Sequence, residues 1–173
     1  SQNGDDYSTG LAAYFKQAFE SLGGTIVADE TYQTNESDFN AILTSVKESG
    51  AEVVFIPSSI ATATLILPQA QASGVTAQII ASDTWENESI VMAAGSAAEG
   101  VVFSTFFDEN DESTPLAKDF VAGFKAYLNE DAQRITLNGG TDGVAAVSAL
   151  GYDAYMSMYE ALKALDGVEG DLT

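Results

Sequence analysis

Apolar positions along the chain follow two alternating patterns, one typical of amphipathic helices and one typical of buried strands. Apolar residues three and four positions apart predict helices over residues 8–22, 38–50, 60–73, 87–98, 114–128 and 142–166. Short, mostly apolar segments predict strands over residues 25–28, 53–56, 78–81 and 101–104, and the continuous apolar run at 53–56 indicates a strand covered on both faces. Because strands that alternate with helices form parallel sheets, we expect a three-layer α/β fold, with a parallel sheet and helices on both faces. Pro68 is expected to kink or split the third helix.

Polar and aromatic residues follow the predicted strands at the edge where ligands bind in parallel sheets. Ser58 and Ser59 come directly after one strand, and Asp83 and Trp85 come directly after the next. Tyr7 precedes the first helix and lies at the same edge if a strand comes before it. A carboxylate, an aromatic ring and two hydroxyls at one edge suit a small ligand that carries a cationic group.

The same loop residues also have a purely structural interpretation. Asp83 or Asn87 could simply cap a helix, and Trp85 could simply cover the core. Spacing alone favours this interpretation, because Ser, Thr, Asp and Asn are the common residues at helix N-caps.

Composition and charge remove several classes of function. The chain has 173 residues, which corresponds to about one domain, with 46% apolar residues and 6 Lys and Arg against 26 Asp and Glu. The resulting net charge of −20 should repel nucleic acids and anionic membrane surfaces. The chain has no histidine and no cysteine, which excludes Ser-His-Asp and Cys-His catalysis, disulfides, and His- or thiolate-bound metals.

One acidic run partly follows the pattern of a calcium-binding loop. Asp108, Asn110, Glu112 and Asp119 stand at positions 1, 3, 5 and 12 of an EF-hand loop, but Ser113 occupies position 6, where glycine is required. The pattern therefore favours a solvated acidic loop before a helix, and we expect no metal and no cofactor.

Several short motifs, in order, resemble a known family. Residues 5–11 (DDYSTGL), 82–85 (SDTW), 97–101 (AAEGV) and 150–154 (LGYDA) match the second lobe of type I periplasmic binding proteins. More narrowly, the chain resembles the leucine/isoleucine/valine-type solute-binding subunits of ABC transporters. The resemblance covers residues 5–166.

This resemblance implies a role for particular residues. A ligand-contacting tyrosine at the start of the first helix matches Tyr7, and a residue after the second strand matches Ser59, where relatives often carry an aromatic ring. An acidic residue that holds the ligand ammonium matches Asp83, a natural partner for that group. We expect Ser58 and Trp85, which flank these positions, to complete the ligand-binding set.

The resemblance also implies a function without catalysis. It predicts an extracytoplasmic solute-binding protein, in the periplasm or at the cell surface as a lipoprotein, that binds an amino-acid-like ligand between two lobes by domain closure. Its partner would be the membrane permease of an ABC transporter, and nucleic acid is not expected as a partner. The alternative is an amino-acid-sensing receptor or regulatory domain of the same fold. An enzyme is not expected.

The chain departs from the family in two respects. Residues 1–173 are expected to form a single ligand-binding lobe, a fragment of a two-lobe protein. The strand that should lead into Asp5 is absent, because residues 1–4 (SQNG) lack strand character. In the strand order 2-1-3-4-5 the absent strand is central, so we expect a gap in the sheet that the first lobe, another segment or a partner fills.

Overall fold

The computed structural model describes residues 1–111 and 113–164 and contains three strands in that part of the chain. The helices are α1 (Asp6–Ser21), α2 (Asn40–Glu48), α3 (Ile60–Ala72), α4 (Glu88–Ala94), α5 (Pro115–Asn129), α6 (Ala132–Leu137) and α7 (Ala146–Ala164). The strands are β1 (Val53–Ile56), β2 (Gln78–Ala81) and β3 (Val102–Phe103), and short 3₁₀ turns cover Asp83–Trp85 and Gly95–Ala98. The chain forms two compact units, Ser1–Thr105 and a second that begins at Phe106.

The three strands form one parallel sheet in the order β1-β2-β3. Val53 lies opposite Gln78, and Ile80 lies opposite Val102. All three strands therefore end at the same edge of the sheet, as the sequence predicts.

Helices cover both faces of this sheet. On one face, the Phe15 ring of α1 stacks on Phe55 of β1 with centroids 4.4 Å apart. Ile56, the next residue of β1, points to the opposite face and packs into the main core, because successive strand side chains alternate. That core also holds buried residues of α2, α3 and α4: Leu43, Ala63, Ile66, Leu67, Ala70 and Ile90. The predicted α/β fold with helices on both faces is confirmed.

The prediction of a strand over residues 25–28 is wrong. This segment forms no strand; it lines a groove on one side, with β1 on the other. A strand is defined by its ladder bonds, and within the described residues no strand lies in the groove to supply them. Residues 25–28 have the apolar composition of a buried strand, but composition alone does not supply a hydrogen-bonded partner, and Val27 is 54% exposed.

Several element boundaries also differ from the predictions. Pro68 lies inside α3 without splitting it, since α3 is one helix whose flanking residues Leu67 and Ala70 are buried. The predicted helix over residues 87–98 ends at Ala94 and continues as a 3₁₀ turn. The last helix begins at Ala146, and its predicted end at residue 166 lies outside the described residues. Helix α6 was not predicted.

The second unit has its own small core. Phe120 of α5 contacts Phe107 at 6.1 Å and Tyr152 of α7 at 4.7 Å between ring centroids. Glu109 accepts a hydrogen bond from the Val144 backbone N–H at 2.8 Å and pairs with Lys125 at 3.0 Å. The acidic loop is thus bound to its own unit at Glu109, while Glu112 of the calcium pattern lies outside the described residues.

Among the helices that the structure describes, none has the length and apolar character needed to cross a bilayer.

Candidate functional site

The carboxyl edge of the sheet brings together the loops that the sequence selected. β1 ends at Ile56 and β2 at Ala81, so the segments that follow them start side by side. The N-terminus of α1 reaches the same edge, because Tyr7 contacts Asp83 directly. Parallel strand ends and a helix N-terminus thus form one polar surface in the first unit.

Tyr7 and Asp83 form the centre of this surface. The Tyr7 hydroxyl donates a hydrogen bond to Asp83 Oδ1 at 2.5 Å, although 76 residues separate the two in sequence. Tyr7 is 39% exposed, and Asp83 is half-buried. Partial burial, followed by the hydrogen bond to Asp83, raises the pKa of the Tyr7 phenol above its ordinary value, so the phenol stays protonated as a donor at neutral pH.

No cation neutralises Asp83 within the part of the chain described by the structure. Lysine and arginine pair there with Asp29, Glu109, Glu130 and Glu160. Asp83 therefore presents a negative charge, held in place by a neutral phenol, at a surface open to solvent. Such a group can accept a charge-assisted hydrogen bond from an ammonium ligand.

The start of α1 is fixed by two side chains. Asp5 caps the helix by accepting a hydrogen bond from the Tyr7 backbone N–H at 3.1 Å. Ser8 is fully buried; its hydroxyl accepts from the Gln2 backbone N–H at 2.8 Å and donates to the Pro57 carbonyl. These bonds tie the helix that carries Tyr7 to the loop after β1. Sequence reasoning missed Ser8, because a serine in a first helical turn carries no signal of a long-range contact.

The Ser58 carbonyl holds the loop that carries Asp83 by two hydrogen bonds. It accepts hydrogen bonds from Thr84 Oγ1 at 2.7 Å and from Trp85 Nε1 at 2.9 Å. The Trp85 ring is 3% exposed and belongs to the main core. The structure thus places Trp85 beneath the surface, in the core-covering position that the sequence left open, where it anchors the Asp83 loop. Sequence reasoning did not select Thr84 for this role.

Ser58 and Ser59 differ sharply in environment. Ser58 is fully buried, and its Oγ has no hydrogen-bond partner among the described residues. Ser59 is exposed and is the N-cap of α3, accepting a hydrogen bond from the Thr62 backbone N–H at 3.4 Å. Its hydroxyl is therefore at the surface, while that of Ser58 is below it.

The helix-capping interpretation holds for Asn87 but not for Asp83. Asn87 caps α4 by accepting a hydrogen bond from the Ser89 backbone N–H at 2.9 Å. Asp83 makes no capping bond; its carboxylate accepts from Tyr7 instead. A carboxylate that is not used for capping can be used for binding.

The groove lined by residues 25–28 and β1 is separate from this surface. None of the five predicted site residues lines it. Within the described ranges, no group of three or more acidic side chains is arranged to hold a metal ion. The surface offers the Tyr7 and Ser59 hydroxyls and the Asp83 carboxylate as possible binding groups.

The first unit is thus a parallel α/β unit with a carboxylate and a phenol at the carboxyl edge of its sheet. A family model described as "Periplasmic binding protein" matches residues 2–173. The chain belongs to this family. Its relatives from Brucella and Pseudomonas are named as binding proteins and not as enzymes.

Two similar proteins are both named as binding proteins for leucine, isoleucine and valine. The chain is 30% identical over 162 residues to Leu/Ile/Val-binding protein homolog 3 of Brucella melitensis, covering 85% of this chain and 43% of the relative. It is 28% identical over 129 residues to the leucine-, isoleucine-, valine-, threonine- and alanine-binding protein of Pseudomonas aeruginosa, covering 75% of this chain and 34% of that one.

Solved structures give the same result for the fold. The leucine binding protein LivK from Thermotoga maritima matches with a TM-score of 0.83 and 29% identity, over 95% of this chain and 43% of that one. LivJ from Streptococcus pneumoniae, solved in complex with isoleucine, matches with a TM-score of 0.66 and 30% identity, over 75% and 37% of the two chains. The chain thus spans less than half the length of the relatives it matches.

Proposed function

We propose that the chain is one ligand-binding lobe of an extracytoplasmic solute-binding protein of an ABC transporter. The ligand is a small amino acid whose α-ammonium group binds Asp83, with Tyr7 and Ser59 beside it. Ser58 and Trp85 hold the loops from below and keep these groups in position.

The observation that carries this proposal is the state of Asp83. Its carboxylate has no cationic partner among the described residues and is oriented by the Tyr7 hydroxyl at 2.5 Å. A half-buried carboxylate loses part of its hydration, so an ammonium group that replaces the lost water bonds is bound strongly. In this proposal the second lobe binds the carboxylate at the other end of the amino acid.

The names of the relatives support the ligand class. The Brucella and Pseudomonas proteins are named for leucine, isoleucine and valine, and the Streptococcus structure contains isoleucine. A branched-chain amino acid is therefore the first ligand to test, together with the smaller threonine and alanine.

The remainder of the proposal concerns the whole protein. The ligand lies between this lobe and a second one, and the two lobes close over it. The closed protein delivers the ligand to a membrane permease. The binding protein itself lies outside the cytoplasm, either free in the periplasm or anchored to the cell surface as a lipoprotein. The chain covers 43% of the Brucella and Thermotoga relatives, which leaves room in those proteins for a second lobe.

Asp83→Asn in the full-length protein tests the proposal. The amide keeps the size of the side chain and its contact with Tyr7 but removes the charge that an ammonium needs. We expect the affinity for L-leucine or L-isoleucine, measured by titration calorimetry, to fall by at least about tenfold, as loss of a charged hydrogen bond predicts.

Glu48→Gln is the matched control. Glu48 is exposed at the end of α2, which leads to the amino edge of the sheet, so its loss removes one charge away from the site. Its affinity should equal that of the parent. Unchanged affinity in the Asp83→Asn protein would exclude Asp83 from the site, and a parent protein that binds neither amino acid would contradict the proposed ligand class.

A further inference from the structure

The Ser59 hydroxyl lies at the carboxyl edge of the sheet, beside the loop that carries Asp83. Ser59 is exposed and directly follows Ser58, whose carbonyl accepts hydrogen bonds from Thr84 Oγ1 and Trp85 Nε1. The loops after β1 and β2 are therefore in contact at this point. Because neighbouring strands lie about 4.8 Å apart, both loops are within reach of one small ligand.

A chain of buried hydroxyl groups ends at Ser59. Tyr32 and Thr62 are 7% and 8% exposed, and the Tyr32 hydroxyl donates a hydrogen bond to Thr62 Oγ1 at 3.4 Å. Thr62 Oγ1 in turn lies 3.4 Å from Ser59 Oγ. The Thr62 backbone N–H also donates to Ser59 Oγ at 3.4 Å, in the usual N-cap bond of α3. The chain thus runs from the main core to the surface.

The direction of the bond between Thr62 and Ser59 follows from the available hydrogens and lone pairs. A hydroxyl has one hydrogen to donate, and leaving a buried one without an acceptor is costly. Thr62 Oγ1 already accepts from Tyr32, so its own hydrogen needs an acceptor. A common acceptor for a helical threonine is the carbonyl four residues earlier, here that of Ser58, but both lone pairs of that oxygen already accept the two bonds described above. Ser59 Oγ is the acceptor that is left within the described chain.

Ser59 is therefore a hydrogen-bond donor toward a ligand. Both lone pairs of Ser59 Oγ accept from Thr62, one from its hydroxyl and one from its backbone N–H. The hydrogen of Ser59 is the group that stays available, and the side chain is exposed. An ammonium group has only hydrogens to offer, so it cannot bond this donor. A ligand atom that bonds Ser59 has to be an acceptor.

We propose that the ligand is an amino acid whose short side chain carries an oxygen acceptor, as in threonine, and that Ser59 selects it by donating a hydrogen bond to that oxygen. This inference rests on the proposed function, in which Asp83 binds the α-ammonium group and the second lobe binds the carboxylate. The side chain is then the part of the ligand that is left for Ser59. An apolar side chain of the same shape displaces water from the Ser59 hydrogen without replacing its bond, so it binds more weakly.

Threonine and valine test this selection, because they have the same shape and differ by a hydroxyl in place of a methyl group. Titration calorimetry of the full-length protein should give an affinity for L-threonine about tenfold higher than that for L-valine. In Ser59→Ala the ratio of the two affinities should fall to about one. Thr114→Ala is the matched control, because it removes an N-cap hydroxyl from α5 in the second unit and should keep the parent ratio.

A second pair of ligands tests the direction of the hydrogen bond. O-methyl-L-serine and L-norvaline have side chains of equal length, but the ether oxygen of O-methylserine accepts a hydrogen bond and cannot donate one. The parent protein should bind O-methylserine about threefold more tightly than norvaline, and Ser59→Ala should remove the difference. If Ser59→Ala does not fold, Ser59→Gly takes its place, since glycine costs little at an N-cap.

Three results would overturn the inference. The first is equal affinity for threonine and valine in a parent protein whose affinity is lowered by Asp83→Asn, which would leave the proposed function standing. The second is an equal loss of affinity for threonine and valine in Ser59→Ala, since Ser59 would then donate to the ligand carboxylate. The third is a preference for threonine without one for O-methylserine, since Ser59 would then be an acceptor. A parent protein that binds no amino acid would contradict both the inference and the proposed function.

Discussion

Two buried serines on the same side of the fold should respond in opposite ways to the same substitution. Ser8 and Ser58 are both fully buried, but the Ser8 hydroxyl makes two hydrogen bonds and the Ser58 hydroxyl makes none within the described residues. Ser8→Ala leaves the Gln2 N–H and the Pro57 carbonyl without their partner and should lower the free energy of unfolding by about 1–3 kcal/mol.

Ser58→Ala is the matched variant. It removes a buried polar atom that has no partner, so the free energy of unfolding should stay the same or rise by up to about 1 kcal/mol. Urea unfolding of the two variants measures the difference. A loss of stability in Ser58→Ala as large as that in Ser8→Ala would contradict the hydrogen-bond assignment.

In a polypeptide of residues 1–173 made with a free amino terminus, the Ser1 amino group should make stability depend on pH near neutrality. Because burial lowers the pKa of this ammonium in the folded chain, the unfolded chain binds more protons at pH values between the folded pKa and about 8. The free energy of unfolding should therefore rise with pH through that window and level off above about pH 8. The chain has no histidine and no cysteine, so no side chain has its ordinary pKa there.

Acetylation of the amino terminus provides the control for this prediction. It removes the titrating charge, so urea unfolding between about pH 6 and about pH 9 should give a flat profile. The same slope in the acetylated and unmodified chains would show that another group causes it.

At the residue level, the sequence predicted that Tyr7 and Asp83 lie at the same edge of the sheet, but it did not predict which of Ser58 and Ser59 is buried. Asp83 follows a strand that ends at this sheet edge, as predicted. Tyr7 was expected before the first helix but lies in its first turn, where the structure joins it to Asp83 by a hydrogen bond. Spacing favours a Trp85 that covers the core, and the structure buries it there, but the hydrogen bond from its indole N–H to the Ser58 carbonyl could not be predicted. Side-chain direction in a loop is set by such partners and not by spacing.

At the level of elements, alanine substitutions at two glycines distinguish the effect of helix propensity on stability from the effect of backbone conformation. A Cβ added at Gly10 in α1 or at Gly50 after α2 would meet no atom within 4 Å, but Gly50 has φ +71°. Gly10→Ala should raise the free energy of unfolding by about 0.5–1 kcal/mol, because alanine favours the helix. Gly50→Ala should lower it by about 1 kcal/mol, since an L residue is strained at positive φ.

Thermal unfolding followed by circular dichroism compares the two variants. Equal shifts of the two melting temperatures in the same direction would mean that the environment of the glycines, and not their backbone conformation, controls the effect.

The elements that could be predicted are those whose signal is local. β1 and β2 have the predicted boundaries, because a continuous apolar run between turn residues is sufficient to indicate a buried strand. Residues 25–28 have the same signal and form no strand, because a strand also needs a hydrogen-bonded neighbour. Pro68 shows the reverse case, in which the packing of buried neighbours keeps α3 continuous.

At the level of the whole molecule, the net charge of −20 should make stability depend on salt. Raising NaCl from about 10 mM to about 100 mM shortens the Debye length from about 30 Å to about 10 Å and weakens repulsion among the carboxylates. The melting temperature should rise by a few degrees. The melting temperature should rise less with salt in a variant that has glutamine in place of the exposed Glu48, Glu52 and Glu88. An equal or larger rise of the melting temperature in this variant would contradict repulsion among carboxylates as the cause.

The central claim is that this lobe holds an amino acid by its ammonium group. Titration calorimetry of the full-length protein with L-leucine and with 4-methylpentanoate, which has the same carbon skeleton and carboxylate but no amino group, tests it most directly. We predict that leucine binds and that 4-methylpentanoate binds at least about tenfold more weakly, because only leucine has an ammonium group for the Asp83 carboxylate, which has no cationic partner among the described residues. Equal affinity for the two compounds would contradict the claim.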